Sequence, residues 1–205
     1  MQPQYWHKAK KHLAQQCPTM AGLIARYEGE GLAARGEVFY TLIRAIVGQQ
    51  ISVKAADAVW AKLAKAVSPM TPENLLRKRE ATLRACGLSA SKVAYARNVA
   101  QFFKERDITA RYWDALSDDD VIRELTSIKG IGSWTAEMFL IFHLLRPDVL
   151  PLKDLGLLKA IDLHYTGGKR LTVKEYQAIS ARWHPYRTVA TWYLWRALDP
   201  VPVAY

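Results

Sequence analysis

Leu125-Thr126-Ser127-Ile128-Lys129-Gly130-Ile131-Gly132-Ser133-Trp134-Thr135-Ala136 is the stretch on which the reading of this chain turns. Helical spacing of apolar residues runs on both sides of it, and Gly-Ile-Gly sits between. Two glycines one residue apart permit a tight turn with positive φ and expose backbone N–H groups. A second helix begins directly after them, so its first amides and the positive end of its dipole face the turn. Such a turn is a seat for an anion, with phosphate the usual one. On spacing alone a plain helix–helix turn is the simpler reading. The balance shifts because the chain is strongly basic and because Asp154 follows in a loop bounded by prolines.

The 205 residues, half of them hydrophobic, are enough for one domain or two closely packed lobes with a sizeable core. A formal charge of +10 suits a polyanionic partner, or belongs to a basic protein that is merely soluble. The two cysteines, Cys17 and Cys86, form no C-x-x-C pair and cannot supply four ligands to zinc or an iron–sulfur cluster. Their spacing implies no disulfide framework, which fits a reducing cytosol. His7, His12, His143, His164 and His184 share no ligand spacing. There is no apolar signal-peptide core and no run of membrane-spanning length, so no membrane partner is expected.

Outward from the hairpin, the pattern is helical throughout. Residues 5–27 read as a helix broken at Cys17-Pro18, followed by a loop at Gly29, Gly31 and Gly36. Residues 37–66 read as two helices, the second capped by Ser52. Their junction, Gly48-Gln49-Gln50-Ile51-Ser52, places two amides where they could bond a nucleic-acid strand, fill a gap in a duplex, or satisfy turn carbonyls. Local chemistry alone favours the last. Thr71 before Pro72 starts a helix that stops at Cys86-Gly87. Ser89 or Ser91 starts the next, whose Lys92, Arg97 and Lys104 form either a solvated face or a phosphate track. Ser117 with Asp118-Asp119-Asp120 reads as a helix cap, not a metal site.

After the hairpin, a helix from Ser133 to Leu145 gives way to an irregular segment, and Asp154 reads as the N-cap of the helix that follows. A capping carboxylate is held rigidly, which also suits the stabilisation of a developing cation. Asp148 and Asp162 read as solvated. Thr172 starts a further helix. The last helix, after Trp183-His184-Pro185-Tyr186-Arg187, carries Trp192, Tyr193 and Trp195, either as core or as a platform for a flat base. Asp199-Pro200-Val201-Pro202 reads as an extended tail. No repeat or β-hairpin signature appears, so the fold class is all-α.

The ordered set of motifs resembles the helix-hairpin-helix (HhH-GPD) DNA glycosylases, most closely their 3-methyladenine DNA glycosylase II branch. The likeness runs from Tyr5-Trp6 through Gly48–Ser52, Gly87-Leu88-Ser89 with Lys92, Ile128–Ala136, Leu150-Pro151 with Asp154-Leu155-Gly156, and Trp183 through Trp195. It implies a two-lobed helical fold with the active-site cleft between the lobes. The central lobe would cover roughly residues 45–145, with the hairpin at 125–136. The second lobe would combine residues 1–40 with 150–205. Neither the N-terminal β domain nor the iron–sulfur loop of other branches is expected.

By the same resemblance Asp154 matches the catalytic aspartate. Trp134 stands where bifunctional relatives carry a Schiff-base lysine, which implies base release without strand cleavage. Trp134, Met138 and Trp195 would line the base pocket, with the extruded base stacked on Trp195. Gln50, with Ile51 beside it, matches the wedge that enters the vacated stack. Gly130 and Gly132 would offer amides to a DNA phosphate, with Lys129, Ser133, Thr135 and Arg187 also at the DNA. Lys129 departs from the family pattern, which has proline before the first hairpin glycine. The carbonyls of Thr126, Ile128 and Ile131 would hold a monovalent cation, Na+ or K+, and no other cofactor is required. The expected partner is damaged double-stranded DNA, and the expected protein a monomer of the cytoplasm and nucleoid. The expected activity is release of alkylated purines in base excision repair. Other damaged or deaminated bases, or a non-catalytic DNA-binding module, stand as the alternatives.

Overall fold

The computed structural model describes residues 2–33, 37–106, 108 and 112–198. Gly36 and the tail from Asp199 lie outside the described residues. Among the described residues the chain is helical, with no strand. The helices are α1 (Trp6–Gln16), α2 (Pro18–Arg26), α3 (Val38–Gly48), α4 (Val53–Ala66), α5 (Pro72–Arg77), α6 (Glu80–Ala85) and α7 (Ala90–Arg106). They continue with α8 (Asp118–Thr126), α9 (Ser133–Phe142), α10 (Leu155–Thr166), α11 (Val173–Ser180), a 3-10 turn at Ala181–Trp183, and α12 (Arg187–Leu198). None is long and apolar enough to cross a membrane.

The helix starts follow local side-chain chemistry. Ser52, Thr71, Ser117 and Asp154 each accept a hydrogen bond from a first-turn N–H of the helix they precede, relieving an amide that has no intrahelical acceptor. Of the two candidate serines before α7, Ser89 makes the bond, from the Lys92 N–H at 3.2 Å. Thr172 and Glu175 form a full capping box at α11.

Three expectations need correction. The helix expected from Pro72 to Cys86 is two helices, with Lys78 extended between them and its carbonyl bonded by the Arg97 guanidinium. The Lys92 ammonium donates to the Val47 carbonyl at 2.8 Å, at the end of α3. Lys92 and Arg97 therefore serve helix C-termini, where cations offset the negative dipole end, and are not a solvated face. Burial pushes the Lys92 amine below its ordinary range, as expected for a cation drawn toward the interior. Finally, α9 ends at Phe142 and not at Leu145. Leu145 takes a left-handed φ of 52°, and the Arg146 N–H turns back to the Leu140 carbonyl at 2.9 Å.

The described chain divides into two compact units. One is Met1–Ala34 with Leu140–Ala204, and the other is Arg35–Phe139. The division falls before α3 and inside α9. In the first unit the fully buried Trp6 meets Trp192 edge-on, with ring centroids 5.5 Å apart, and Tyr193 at 5.9 Å. Trp183, Leu13, Met20 and Ile161 complete that core. In the second unit Phe39 packs edge-to-face on Phe103 and Trp113 on Phe139, and Ile43, Leu63 and Leu75 are buried. Each such buried side chain contributes about 1.5–3 kcal/mol of transfer free energy, and the helices owe their stability to this packing more than to their own propensity.

Candidate active site and DNA interface

In the unit Arg35–Phe139 the hairpin joins α8 to α9. Leu125, Ile128 and Ile131 are buried, whereas Lys129 and Gly132 are exposed, so the turn is anchored by its isoleucines and presents the residues between them. The Ile131 N–H closes the turn on the Ile128 carbonyl at 3.0 Å. Gly130 has φ of 109°, a conformation that L side chains rarely adopt, and a Cβ there would overlap the Tyr95 ring. Gly132 is not in the left-handed region, and a Cβ on it would meet nothing within 4 Å. Only the first of the two glycines therefore serves the turn itself. The carbonyls at the tip are held from outside the hairpin. Gln49 Nε2 donates to the Gly130 carbonyl at 3.1 Å, and Asn98 Nδ2 to the Lys129 carbonyl at 3.0 Å.

Gln49 thus satisfies a turn carbonyl, while its neighbour does not share that role. Gln50 is exposed with a φ of 58°, left-handed for a non-glycine residue, and Ile51 is 40% exposed beside it. An isoleucine at the surface and a strained backbone at one junction mark a place where the chain is shaped for something other than its own packing. Of the other hairpin residues, Ser133 and Trp134 are half-buried. Thr135 is buried, which removes its side chain from the expected DNA contacts. Met138, one turn past Trp134, is also buried. The carbonyls of Thr126, at the end of α8, and of Ile128 and Ile131, in the turn, are neutral oxygens of the kind that suits a monovalent cation, and the Ile128 oxygen keeps a second lone pair after its bond to Ile131.

The unit that contains α10 and α12 holds the carboxylate. Asp154 is buried at the start of α10. Its Oδ1 accepts the Leu157 N–H at 2.7 Å, the cap bond, and also the indole N–H of Trp195 from α12 at 2.8 Å. Trp195 is itself buried and stacked on Phe142, with centroids 5.8 Å apart and planes 11° apart. Asp148 and Arg187 form a second cluster. The guanidinium makes two parallel bonds of 2.7 Å to the carboxylate, through Nε and Nη2. The Arg187 N–H and His184 Nδ1 bond the same carboxylate. Burial alone would raise the Asp148 carboxyl, but these donors outweigh it and hold it below its ordinary range. Arg187, expected at the DNA, is therefore committed within the protein, and Asp148 is not solvated. Asp162 is half-buried and is not left to solvent alone, since its Oδ1 accepts the Tyr176 hydroxyl at 2.7 Å.

This arrangement sets a capped carboxylate beside an indole in one unit and a braced glycine turn with an exposed junction in the other. Known proteins are similar to this chain in sequence and in fold. A DNA-3-methyladenine glycosylase from Schizosaccharomyces pombe is 34% identical over 200 residues, covering 92% of this chain and 86% of that one. The crystal structure of a DNA-3-methyladenine glycosidase from Bacillus halodurans superposes with a TM-score of 0.79 at 34% identity, over 92% of this chain and 87% of that one. An S. pombe 3-methyladenine DNA glycosylase in complex with abasic DNA superposes with a TM-score of 0.82 at 33% identity, over 97% of this chain and all of that one. Residues 43–185, which include the α3–α4 junction, the hairpin and Asp154, match the model of one family, and the chain belongs to it: the HhH-GPD superfamily of base excision DNA repair proteins.

Proposed function

We propose that the chain is a monofunctional DNA glycosylase that extrudes and hydrolytically releases alkylated purines of the 3-methyladenine type. The observation that carries this reading is the Asp154 carboxylate, buried at the N-terminus of α10 and fixed by two N–H donors, in a member of this superfamily. The hairpin binds a backbone phosphate through the amides around Gly130 and Gly132 and the positive end of α9. Lys129 adds a charge that neutralises phosphate without reading sequence. Gln50 and Ile51 enter the gap left by the extruded nucleotide.

A purine alkylated at a ring nitrogen is cationic. It stacks well on an electron-rich indole such as Trp134, and it is already a good leaving group. As it departs, the sugar develops oxocarbenium character. Asp154 stabilises that charge and orients the attacking water. The indole at position 134 offers no amine for a Schiff base, so the strand stays intact. A monovalent cation held by the carbonyls of Thr126, Ile128 and Ile131 would add positive charge near the bound phosphate.

The test uses duplexes that each carry one 3-methyladenine, 7-methylguanine, hypoxanthine or ethenoadenine. Wild type is expected to release base and to give strand breaks only after alkali. Asp154→Asn is expected to bind the same DNA and release none. Tight binding by both proteins with no release on any duplex would leave a DNA-binding module. A borohydride-trapped adduct would replace the monofunctional reading.

A further inference from the structure

We propose that Gln49 is a positioning residue that ties the Gln50–Ile51 junction to the phosphate-binding turn, so that phosphate docking and wedge entry occur as one event, with Asn98 orienting the turn itself. The proposal rests on the reading above, in which the turn holds a phosphate and Gln50 and Ile51 enter the stack. All the groups involved lie in the unit Arg35–Phe139. One face of α7 serves both elements. Lys92, Tyr95 and Asn98 recur at intervals of three and so share a side of that helix. The Lys92 ammonium holds the Val47 carbonyl, at the end of α3, at 2.8 Å. At the turn, a Cβ on Gly130 would overlap the Tyr95 ring, and Asn98 Nδ2 donates to the Lys129 carbonyl at 3.0 Å.

The Asn98 bond orients an amide. The Lys129 carbonyl and the Gly130 N–H lie on opposite edges of one trans peptide, so with the carbonyl turned to α7 the N–H points away from it. The next peptide is pinned at both edges. Its carbonyl, that of Gly130, takes Gln49 Nε2 at 3.1 Å, and its N–H, that of Ile131, takes the Ile128 carbonyl at 3.0 Å. Gln49 closes the circuit from α3, since its own N–H is bonded to the Ile46 carbonyl at 3.3 Å. Beyond the junction Ser52 is fixed as the cap of α4, accepting the Ala55 N–H at 3.3 Å. Gln50 and Ile51, both exposed, are therefore held between two tied residues, and Gln50 keeps its left-handed φ of 58°. A non-glycine residue persists there only where its surroundings over-determine it. The Gln49 amide makes turn and wedge one piece, so seating the phosphate also places the wedge at the stack. Ordering the second contact in advance removes most of its entropic cost.

The experiment follows an abasic-site duplex by stopped flow with two probes. The anisotropy of a fluorescein at one end reports docking, and a 2-aminopurine beside the site reports unstacking. Wild type is compared with Gln49→Met and Asn98→Ala. Methionine has nearly the length of glutamine and no N–H donor. In wild type the two signals are expected to rise together. In Gln49→Met docking should keep the wild-type rate while unstacking slows by about 10-fold, as for the loss of one neutral hydrogen bond, with the melting temperature unchanged. Asn98→Ala should instead weaken affinity for the duplex by about 10-fold, with the two signals still rising together.

Coincident signals in Gln49→Met would overturn the proposal. So would an equal loss of docking and unstacking together with a lower melting temperature, which is the mark of a bond that only holds the fold. Wild-type affinity in Asn98→Ala, or a lag there as large as in Gln49→Met, would overturn the division of roles between the two amides. A wild type that docks with no 2-aminopurine response is a separate result. It would show that the junction does not enter the stack, and would remove the underlying reading and this proposal with it.

Discussion

A methyl group on Gly156 would meet both partners of the carboxylate–indole bond. Glycine within a helix is otherwise a poor choice, since alanine is favoured by up to about 1 kcal/mol in a helix interior. The structure therefore sets helix propensity against the close approach of Trp195, and the approach has prevailed. Gly156→Ala is expected to slow base release about 10-fold while leaving the melting temperature unchanged or raised, because propensity gain offsets the local displacement. Kinetics and thermal unfolding of the same preparation check both halves, and a melting temperature that falls together with activity would show the glycine to be structural. At this scale the sequence is partly legible. Asp154 before a helical run announces a cap from local pattern alone, and Asp154 is one. The Trp195 bond joins residues 41 apart across two helices, and no periodicity encodes such a pairing.

The same contrast holds between elements. Helix starts were readable because capping is local, and Ser52, Thr71, Ser117, Asp154 and Thr172 all cap as expected. The bonds that tie one element to another were not readable. Gln49 and Asn98 brace the hairpin from α3 and α7, and Asp148 ties the loop before α10 to the start of α12. In sequence Asp148 is one acidic residue in a proline-bounded loop, which looks like solvent. In the fold it collects the Arg187 fork, the Arg187 N–H and His184. Its carboxyl is held below the ordinary 3.8 despite burial. A depressed folded-state value contributes stability that is complete above the unfolded-state value and lost as pH falls through the folded one. Wild type is therefore expected to lose unfolding free energy as pH falls below the ordinary carboxyl value of 3.8. Asp148→Asn should be less stable at pH 7, by about 1–3 kcal/mol, and show a shallower loss below pH 4. Denaturant unfolding across that pH range measures both.

Across the whole molecule, the charge suits a polyanionic partner without naming the groups that meet it. The formal +10 counts every lysine and arginine alike. In the fold, Arg44, Arg106, Arg123, Arg187 and Arg196 are paired with carboxylates, and Lys92 and Arg97 are bonded to carbonyls at helix ends. Lys129 instead stands exposed at the hairpin between two buried isoleucines. Binding to DNA releases one condensed counterion for each phosphate neutralised, so the dependence of affinity on salt counts the cations that take part. Lys129→Gln is expected to reduce the slope of log K against log salt by about 1 and to leave stability unchanged, since an exposed side chain has little packing to lose. Lys92→Gln is expected to do the reverse. The slope should hold, and unfolding free energy should fall by about 1–2 kcal/mol as the Val47 carbonyl loses its charged donor. Titrations of an abasic-site duplex between low and moderate potassium chloride, beside denaturant unfolding, separate the two lysines. Equal slopes for wild type and Lys129→Gln would place the phosphate away from the hairpin tip and assign the electrostatic footprint to other cations.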